Sequence, residues 1–240
     1  LRERETINNL MEEICGARLT YNYIRIGGVG YDIVPSTMTK IAEFLDHFEP
    51  IVEEFNRLLS GNKIFIERLA NVAVVSKEDA LSYNLVGPNL RGSGIKWDIR
   101  RDIPYSVYPE LDFEIPVGTA EVGSLGDSFD RFWVRIREMQ ESVKILRQAM
   151  KMIPKGPAIS KVPKKFRPPA GEYYARVEAP RGDMGFYVVS DGSEYPYRVR
   201  IRTGSYTAMS IIDKLAKGIM VADLIALIGS LDVDAPEIDR

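Results

Sequence analysis

The sequence predicts an α+β protein, mainly helical, with a small antiparallel sheet in its C-terminal third, and three observations carry this. Apolar residues recur at helical spacing across 1–15, 37–59 and 129–153. Three later segments, 172–178, 184–190 and 197–202, alternate and are β-rich, with Arg181-Gly182-Asp183 and Ser190-Asp191-Gly192 as turns. Between the two regions, Lys155, Lys161, Lys164, Lys165 and Arg167 stand among prolines, which reads as an exposed strap. The divisions are a helical core region over 1–154, the strap over 155–170, and a sheet with terminal helices over 171–240, all in one structural unit.

In order, Ile7, Leu10, Met11 and Ile14 make an amphipathic first helix closed by Gly16. The paired Gly27 and Gly28 after an alternating stretch imply a tight turn or close backbone approach. From Met38 to Leu58 a second helix keeps its period, with Pro50 expected to kink or break it near Glu49. Lys63 to Leu69 reads as a short helix, and Ser76 as the N-cap of the next. The stretch 87–94 reads as a glycine-rich loop. It lacks the Gly-Lys-Ser/Thr ending of a nucleotide site and does not lead from a strand into a helix. Arg91, Asp98, Arg100 and Arg101 suit a fixed charge network. Residues 102–118 are irregular, and Asp127 or Ser128 caps the longest helix, whose aromatic stripe reads as core. Two helices follow the sheet, over 206–217 and 220–228. The second is so apolar that burial on all sides is expected. Arg198, Arg200, Arg202 and Lys214 are expected to face solvent or an acidic partner.

Composition narrows the function. A net charge of −2 gives no electrostatic basis for nucleic-acid binding, and no apolar run is long enough for a membrane-spanning helix. The one cysteine, Cys15, sits in an apolar run and reads as a buried structural thiol. It excludes an internal disulfide and a cysteine-cluster metal site within this chain. His47, the one histidine, reads as a boundary residue. The chain begins in mid-pattern with Leu1-Arg2-Glu3-Arg4-Glu5, so residue 1 is expected not to be the natural start.

The tail Gly229-Ser230-Leu231-Asp232-Val233-Asp234-Ala235-Pro236-Glu237-Ile238-Asp239-Arg240 puts four carboxylates directly after an apolar run, so its charges are expected to turn into the protein. This tail resembles the C-terminus of the 49-kDa, or D-type, family of respiratory complex I (NADH-quinone oxidoreductase) subunits, relatives of the nickel-iron hydrogenase large subunit. Tyr23-Ile24-Arg25-Ile26-Gly27-Gly28-Val29, Gly87-Pro88-Asn89-Leu90-Arg91-Gly92-Ser93-Gly94 and Trp97-Asp98-Ile99-Arg100-Arg101 match signatures of the same family. The resemblance covers essentially all 240 residues and about the C-terminal two thirds of a family member. It implies a hydrogenase-large-subunit-like fold, truncated at the N-terminus, that has lost its metal. In the hydrogenase tail two cysteines ligate the metal. Here Asp234 and Glu237 take those positions, between Asp232 and Arg240, and leave no soft ligand.

By the resemblance, the chain is a subunit of a proton-pumping NADH-quinone oxidoreductase. It holds no cofactor and forms the quinone cavity with an iron-sulfur B-type subunit. Quinone is the substrate, NAD acts elsewhere in the complex, and C-type and membrane-arm subunits are partners. The location implied is peripheral, on the cytoplasmic side of the plasma membrane or its matrix or stromal equivalent. Asp232, Val233, Asp234, Asp239 and Arg240 fall in the cavity floor. Thr20, Arg25, Gly27, Gly28 and Arg91 fall near the partner's cluster. Some members carry histidine at the Thr20 position, where it couples protonation to cluster reduction. Its replacement implies a lower-potential cluster. A small apolar residue is usual at the Asp234 position, and a buried carboxylate there is expected to pair with Arg240 or Arg91, or to mark another acceptor. No catalytic acid or base is assigned, and Asp232 and Asp239 are candidates by position. The alternatives are a related deazaflavin- or ferredoxin-dependent complex, a membrane-bound hydrogenase-like complex, and a non-redox scaffold.

Overall fold

A computed structural model describes residues 2–163 and 165–239. Helix α1 (Arg2–Cys15) ends where Gly16 adopts a φ of +78° and donates its amide to Glu12. It lies on α2 (Pro35–Phe55), pinned by Glu13, which accepts from Thr37 (2.7 Å) and pairs with Lys40 (2.9 Å). His47 sits at this seam, with Nε2 3.0 Å from the buried Glu3. Helix α2 runs through Pro50 without breaking. Leu45 before the proline and Ile51 and Val52 after it are buried. That burial outweighs the roughly 3 kcal/mol cost of an interior proline. A π-helical turn over Asn56–Ser60 then leads to α3 (Lys63–Leu69), capped by the Asn62 side chain.

Ser76 caps α4 (Lys77–Ser82), accepting from the Asp79 amide at 3.1 Å. The expected glycine-rich loop is instead a helix, α5 (Gly87–Gly92), with all six residues buried. Gly87 allows it, with a φ of +60°. A Cβ there would stand 2.6 Å from the Arg181 carbonyl, so backbone meets backbone. The short α6 (Ile99–Asp102) is capped by Asp98, and the irregular stretch that follows carries one 3₁₀ turn at Tyr108–Glu110. Helix α7 (Ser128–Met152) is capped by Asp127, whose Oδ1 accepts from the Asp130 amide at 2.9 Å. It packs against α2, α5 and the later α10.

Two sheets, both antiparallel, occur among the described residues. Strands β1 (Ile24–Arg25) and β2 (Gly28–Val29) form a small hairpin. Strands β3 (Gly171–Ala179), β4 (Gly182–Ser190) and β5 (Arg198–Arg202) form the expected sheet in that order, with Glu178 opposite Asp183. Helices α8 (Gly204–Ser210), α9 (Ile212–Leu215), α10 (Val221–Leu231) and α11 (Ala235–Ile238) complete the chain. Their buried residues Ile211, Leu215, Leu227 and Leu231 share a core with Val75, Leu85 and Leu90.

One expectation fails here. Helix α10 is not buried on all sides, since Val221 and Ile225 are 85% and 77% exposed. Leu227 and Leu231 turn to the core, Asp223 pairs with Arg68 of α3 and Ser230 binds Arg131 of α7, which leaves the opposite face uncovered by this chain. Arg202 does not face solvent freely. It binds Asp183 (3.1 Å) and Asn84 (3.1 Å). Lys214 is exposed, as expected, and pairs with Asp79. Arg198 and Arg200 are exposed.

Candidate functional site

The charged residues that α5, α6, α7 and β3 bring together form one buried cluster. Arg91, in the last turn of α5, is almost inaccessible. Its Nε donates to Glu138 of α7 (2.8 Å), and one terminal nitrogen donates to Glu178 of β3 (2.9 Å) and to Asp98 (3.2 Å). Arg100 grips Asp98 with two hydrogen bonds, of 2.9 and 2.6 Å. Burial weakens ionisation throughout the cluster, and the balance differs by residue. For Arg91 the charges of Glu138, Glu178 and Asp98 outweigh it and hold the guanidinium above its usual value. For Asp98 burial is outweighed by the Arg100 hydrogen bonds and the charge of Arg91, which hold the carboxyl below its usual range. For Glu178 burial wins and pushes the carboxyl up.

This cluster walls a cavity of about 660 Å³. Its apolar lining comes from α1, α2 and α7, including Leu10, Ile14, Phe44, Phe48 and Met139. Its charged lining is Arg91, Arg100, Arg135, Glu138 and Glu178, together with Glu114 and Glu141. An apolar space with a few convergent polar groups is the usual form of a small-molecule site.

Arg135 joins the cavity to the C-terminal tail. It donates to the Ser230 carbonyl (2.7 Å), while Asn89 donates to that of Leu231 (2.9 Å). Arg181 donates to the Asp232 carbonyl at 2.7 Å. The last carbonyls of α10 are thus satisfied by two guanidiniums and an amide, which also suit the negative end of the helix. Asp232 itself adopts a left-handed conformation (φ 51°, ψ 52°), one that aspartate tolerates better than most residues. Its carboxylate stands 3.9 Å from Arg135 and 3.6 Å from Arg181, close enough for attraction but not for a direct hydrogen bond. It therefore keeps free acceptor positions. Glu237 is tied down by its backbone carbonyl, which accepts from Thr203 (2.7 Å), and by a short hydrogen bond from Ser205.

Beneath the tail lies Arg131, fully buried. It donates to the Gly126 carbonyl (2.7 Å), the Ala73 carbonyl (3.0 Å) and the Ser230 hydroxyl (2.9 Å). Burial, helped by the charge of Arg135, pushes its pKa down to about 9.

The residues singled out from sequence fall in three places. Asp232, Val233 and Asp234 form the α10–α11 connection, with Val233 packed on the core and Asp234 half-buried. Asp239 is exposed beyond α11, and Arg240 lies outside the described residues. The expected Asp234–Arg91 pair does not form, because Arg91 is saturated by Asp98, Glu138 and Glu178. The Asp234 amide instead donates to Ser205 at 3.1 Å. Arg25, Gly27 and Gly28 lie in the β1–β2 hairpin, and Thr20 is exposed just before it. Arg91 is bonded to the cavity wall rather than to that hairpin.

The hairpin glycines meet the strap. The Val29 amide donates to Ala158 (2.8 Å) and the Ser160 amide to Gly27 (2.9 Å). A Cβ on Gly28 would stand 2.2 Å from the Ala158 carbonyl. The strap expected to be solvated is thus paired over these residues, while Lys164 lies outside the described residues.

Sequence reasoning missed Arg131, Arg135, Glu138, Glu178, Arg181 and Asn89. A signal existed for three of them. Arg131, Arg135 and Glu138 stand at i, i+4 and i+7 of α7 and form a charged stripe beside the aromatic one.

The sequence profile of a family described as "Respiratory-chain NADH dehydrogenase, 49 Kd subunit" matches residues 1–168 and 160–240. A protein of Anaeromyxobacter dehalogenans (strain 2CP-C), named as a second D subunit of NADH-quinone oxidoreductase, is 58% identical over 240 residues, which is 100% of this chain and 63% of that protein. The protein of the same name in Sorangium cellulosum (strain So ce56) is 58% identical, over 100% of this chain and 62% of its own length. The NADH-quinone oxidoreductase D subunit of Bacillus cereus (strain ATCC 10987 / NRS 248) is 45% identical, over 99% and 64%. The chain spans less than two thirds of the length of these relatives. By a match that runs its whole length, it belongs to the family of the 49 kDa subunit of the respiratory-chain NADH dehydrogenase.

Proposed function

We propose that the chain is part of the 49 kDa-type subunit of a membrane-associated NADH-quinone oxidoreductase and builds one side of its quinone-reduction cavity. The observation that carries this is the tail. The Asp232 carbonyl is held by Arg181, and its carboxylate stands near Arg135, which lines a cavity that is apolar on one wall and charged on the other, and keeps acceptor positions open. Such a space suits an amphiphile with an apolar chain and a polar, redox-active headgroup. By the family resemblance Asp232, Val233, Asp234, Asp239 and Arg240 are assigned to the floor of that cavity.

Quinone reduction takes up two electrons and two protons. A four-thiolate cluster needs four cysteines, and these 240 residues have only Cys15, so they do not hold one by themselves, and a partner is the proposed source of the electrons. The hairpin with Thr20, Arg25, Gly27 and Gly28 supports a docking surface for an iron-sulfur B-type subunit, since Leu19, Ile24 and Ile26 expose their apolar side chains there. NAD oxidation belongs to another part of the assembly. C-type and membrane-arm subunits complete the set, and a peripheral position on the cytoplasmic side, or its organellar equivalent, follows from that assembly. No helix of the described residues is long and apolar enough to cross a membrane.

Purification of the tagged full-length protein from its own membranes tests this. The expected result is copurification with an iron-sulfur subunit and membrane chains, in a preparation that reduces quinone. A protein recovered alone, with no quinone reductase activity in the membrane fraction, would remove the proposal.

A further inference from the structure

The cluster on the cavity wall is unbalanced. Two guanidiniums, Arg91 and Arg100, directly pair three carboxylates, Asp98, Glu138 and Glu178. With every group ionised this directly bonded set carries one negative charge more than positive, because the nearby Arg135 is drawn first to Asp232 and only then to Glu138, and a surplus charge is costly in such a place. One added proton removes the surplus.

The hydrogen bonds say where that proton sits. Asp98 is gripped on both oxygens by Arg100 and also by Arg91. Glu138 meets Arg91 at 2.7 and 2.8 Å and is the more exposed of the two glutamates. Glu178 is 4% exposed. Its Oε1 is taken by Arg91, and its Oε2 receives only the Ile99 amide, at 3.3 Å. Arg100 acts on Glu178 through its charge but makes no hydrogen bond to it. The Tyr105 hydroxyl accepts from the Glu178 amide (3.1 Å), and Asp183, opposite on β4, is taken by Arg176 and Arg202. Burial raises the affinity of Glu178 for a proton accordingly.

From Glu178 a row of charges leads to the tail. Arg91 bridges it to Glu138, and one turn along α7 Arg135 reaches Asp232. We propose that Glu178 holds one exchangeable proton at the cavity wall and releases it toward the site beside Asp232 when a quinone is reduced there. This rests on the quinone reading above. On release the Oε2–H bond breaks and an O–H bond forms on the reduced headgroup through intervening water, the second proton coming from solvent. The electrons come from the partner's iron-sulfur centre, and solvent returns the proton to Glu178. Glu178 is a proton-holding and positioning residue here, since nothing places it against the headgroup.

The test uses the full-length protein in its complex, as wild type, Glu178→Gln and Glu178→Asp. Infrared difference spectra across a pH titration are expected to show a protonated-carboxyl band in the wild type that is missing in Glu178→Gln. Quinone reduction is expected to fall about a hundredfold in Glu178→Gln and to lose its pH dependence on the alkaline side. Electron delivery to a water-soluble artificial acceptor should stay unchanged, and Glu178→Asp should restore part of the rate. Absence of the band from the wild type would overturn the proposal whatever the activities. A band present with an unchanged pH profile would overturn the delivery step. Absence of quinone reduction in the wild type would instead sink the quinone reading and delivery with it, while the band still decided whether Glu178 holds the proton.

Discussion

Arg131 shows most clearly how single side chains shape this molecule. Its guanidinium is fully buried and satisfies two backbone carbonyls and a hydroxyl from three separate stretches, around Ala73, Gly126 and Ser230. Removing it leaves the Ala73 carbonyl buried without a partner and takes one bond each from the Gly126 carbonyl, which keeps the Val75 amide, and the Ser230 hydroxyl, which keeps the Leu227 carbonyl. Arg131→Ala should therefore cost at least about 3 kcal/mol, read as a lowered unfolding midpoint of the intact protein. Arg131→Lys should recover little of it, because a single ammonium cannot span the same fork. Asp98 gives a pH prediction. Its folded pKa is depressed, so the stability it contributes is present above the normal carboxylate range and is lost as pH falls through the depressed value. Urea midpoints measured down a pH series should fall on the acid side, and Asp98→Asn should flatten that dependence while lowering the neutral-pH value.

Among the elements, the long ones were legible in sequence because a period survives in them. Helices α1, α3 and α7 and the three-stranded sheet appear where apolar spacing and turn residues put them. Helix α5 was not legible. Gly87, Pro88 and Gly92 read locally as a loop, and only burial against the Arg181–Gly182 turn makes the segment helical. Helix α10 was misread in the opposite sense. Its composition is that of a core helix, yet composition does not say how many neighbours a helix has. The hairpin and strap depend on one another through Gly28. Gly28→Ala should separate them, since a Cβ cannot share space with the Ala158 carbonyl. The expected outcome is faster proteolysis within 155–163 with the rest of the protein still folded. Cleavage no faster than in the wild type would contradict that dependence.

For the whole molecule, the tail's charges were expected to turn inward because four carboxylates directly follow an apolar run, but only Glu237 is tied to an inner partner while Asp232 and Asp239 stay exposed. What receives the tail's backbone could not be foreseen. Asn89, Arg135 and Arg181 lie 142, 95 and 51 positions from the carbonyls they bind, and no local pattern reports contacts of that range. Of the alternatives for Asp234, the pairing with Arg91 fails for the same reason, because Arg91 is claimed by residues from three other parts of the chain, while Arg240 lies outside the described residues. The central claim is that the tail and the charged wall around Arg135 border a quinone site. Photolabelling of the purified intact complex with an azido-quinone, followed by peptide mapping, tests it most directly. The account predicts labelled residues within 230–239, displaced by excess unmodified quinone and reduced in Asp232→Asn. Displaceable labelling confined to other subunits, with this tail unlabelled, would contradict it.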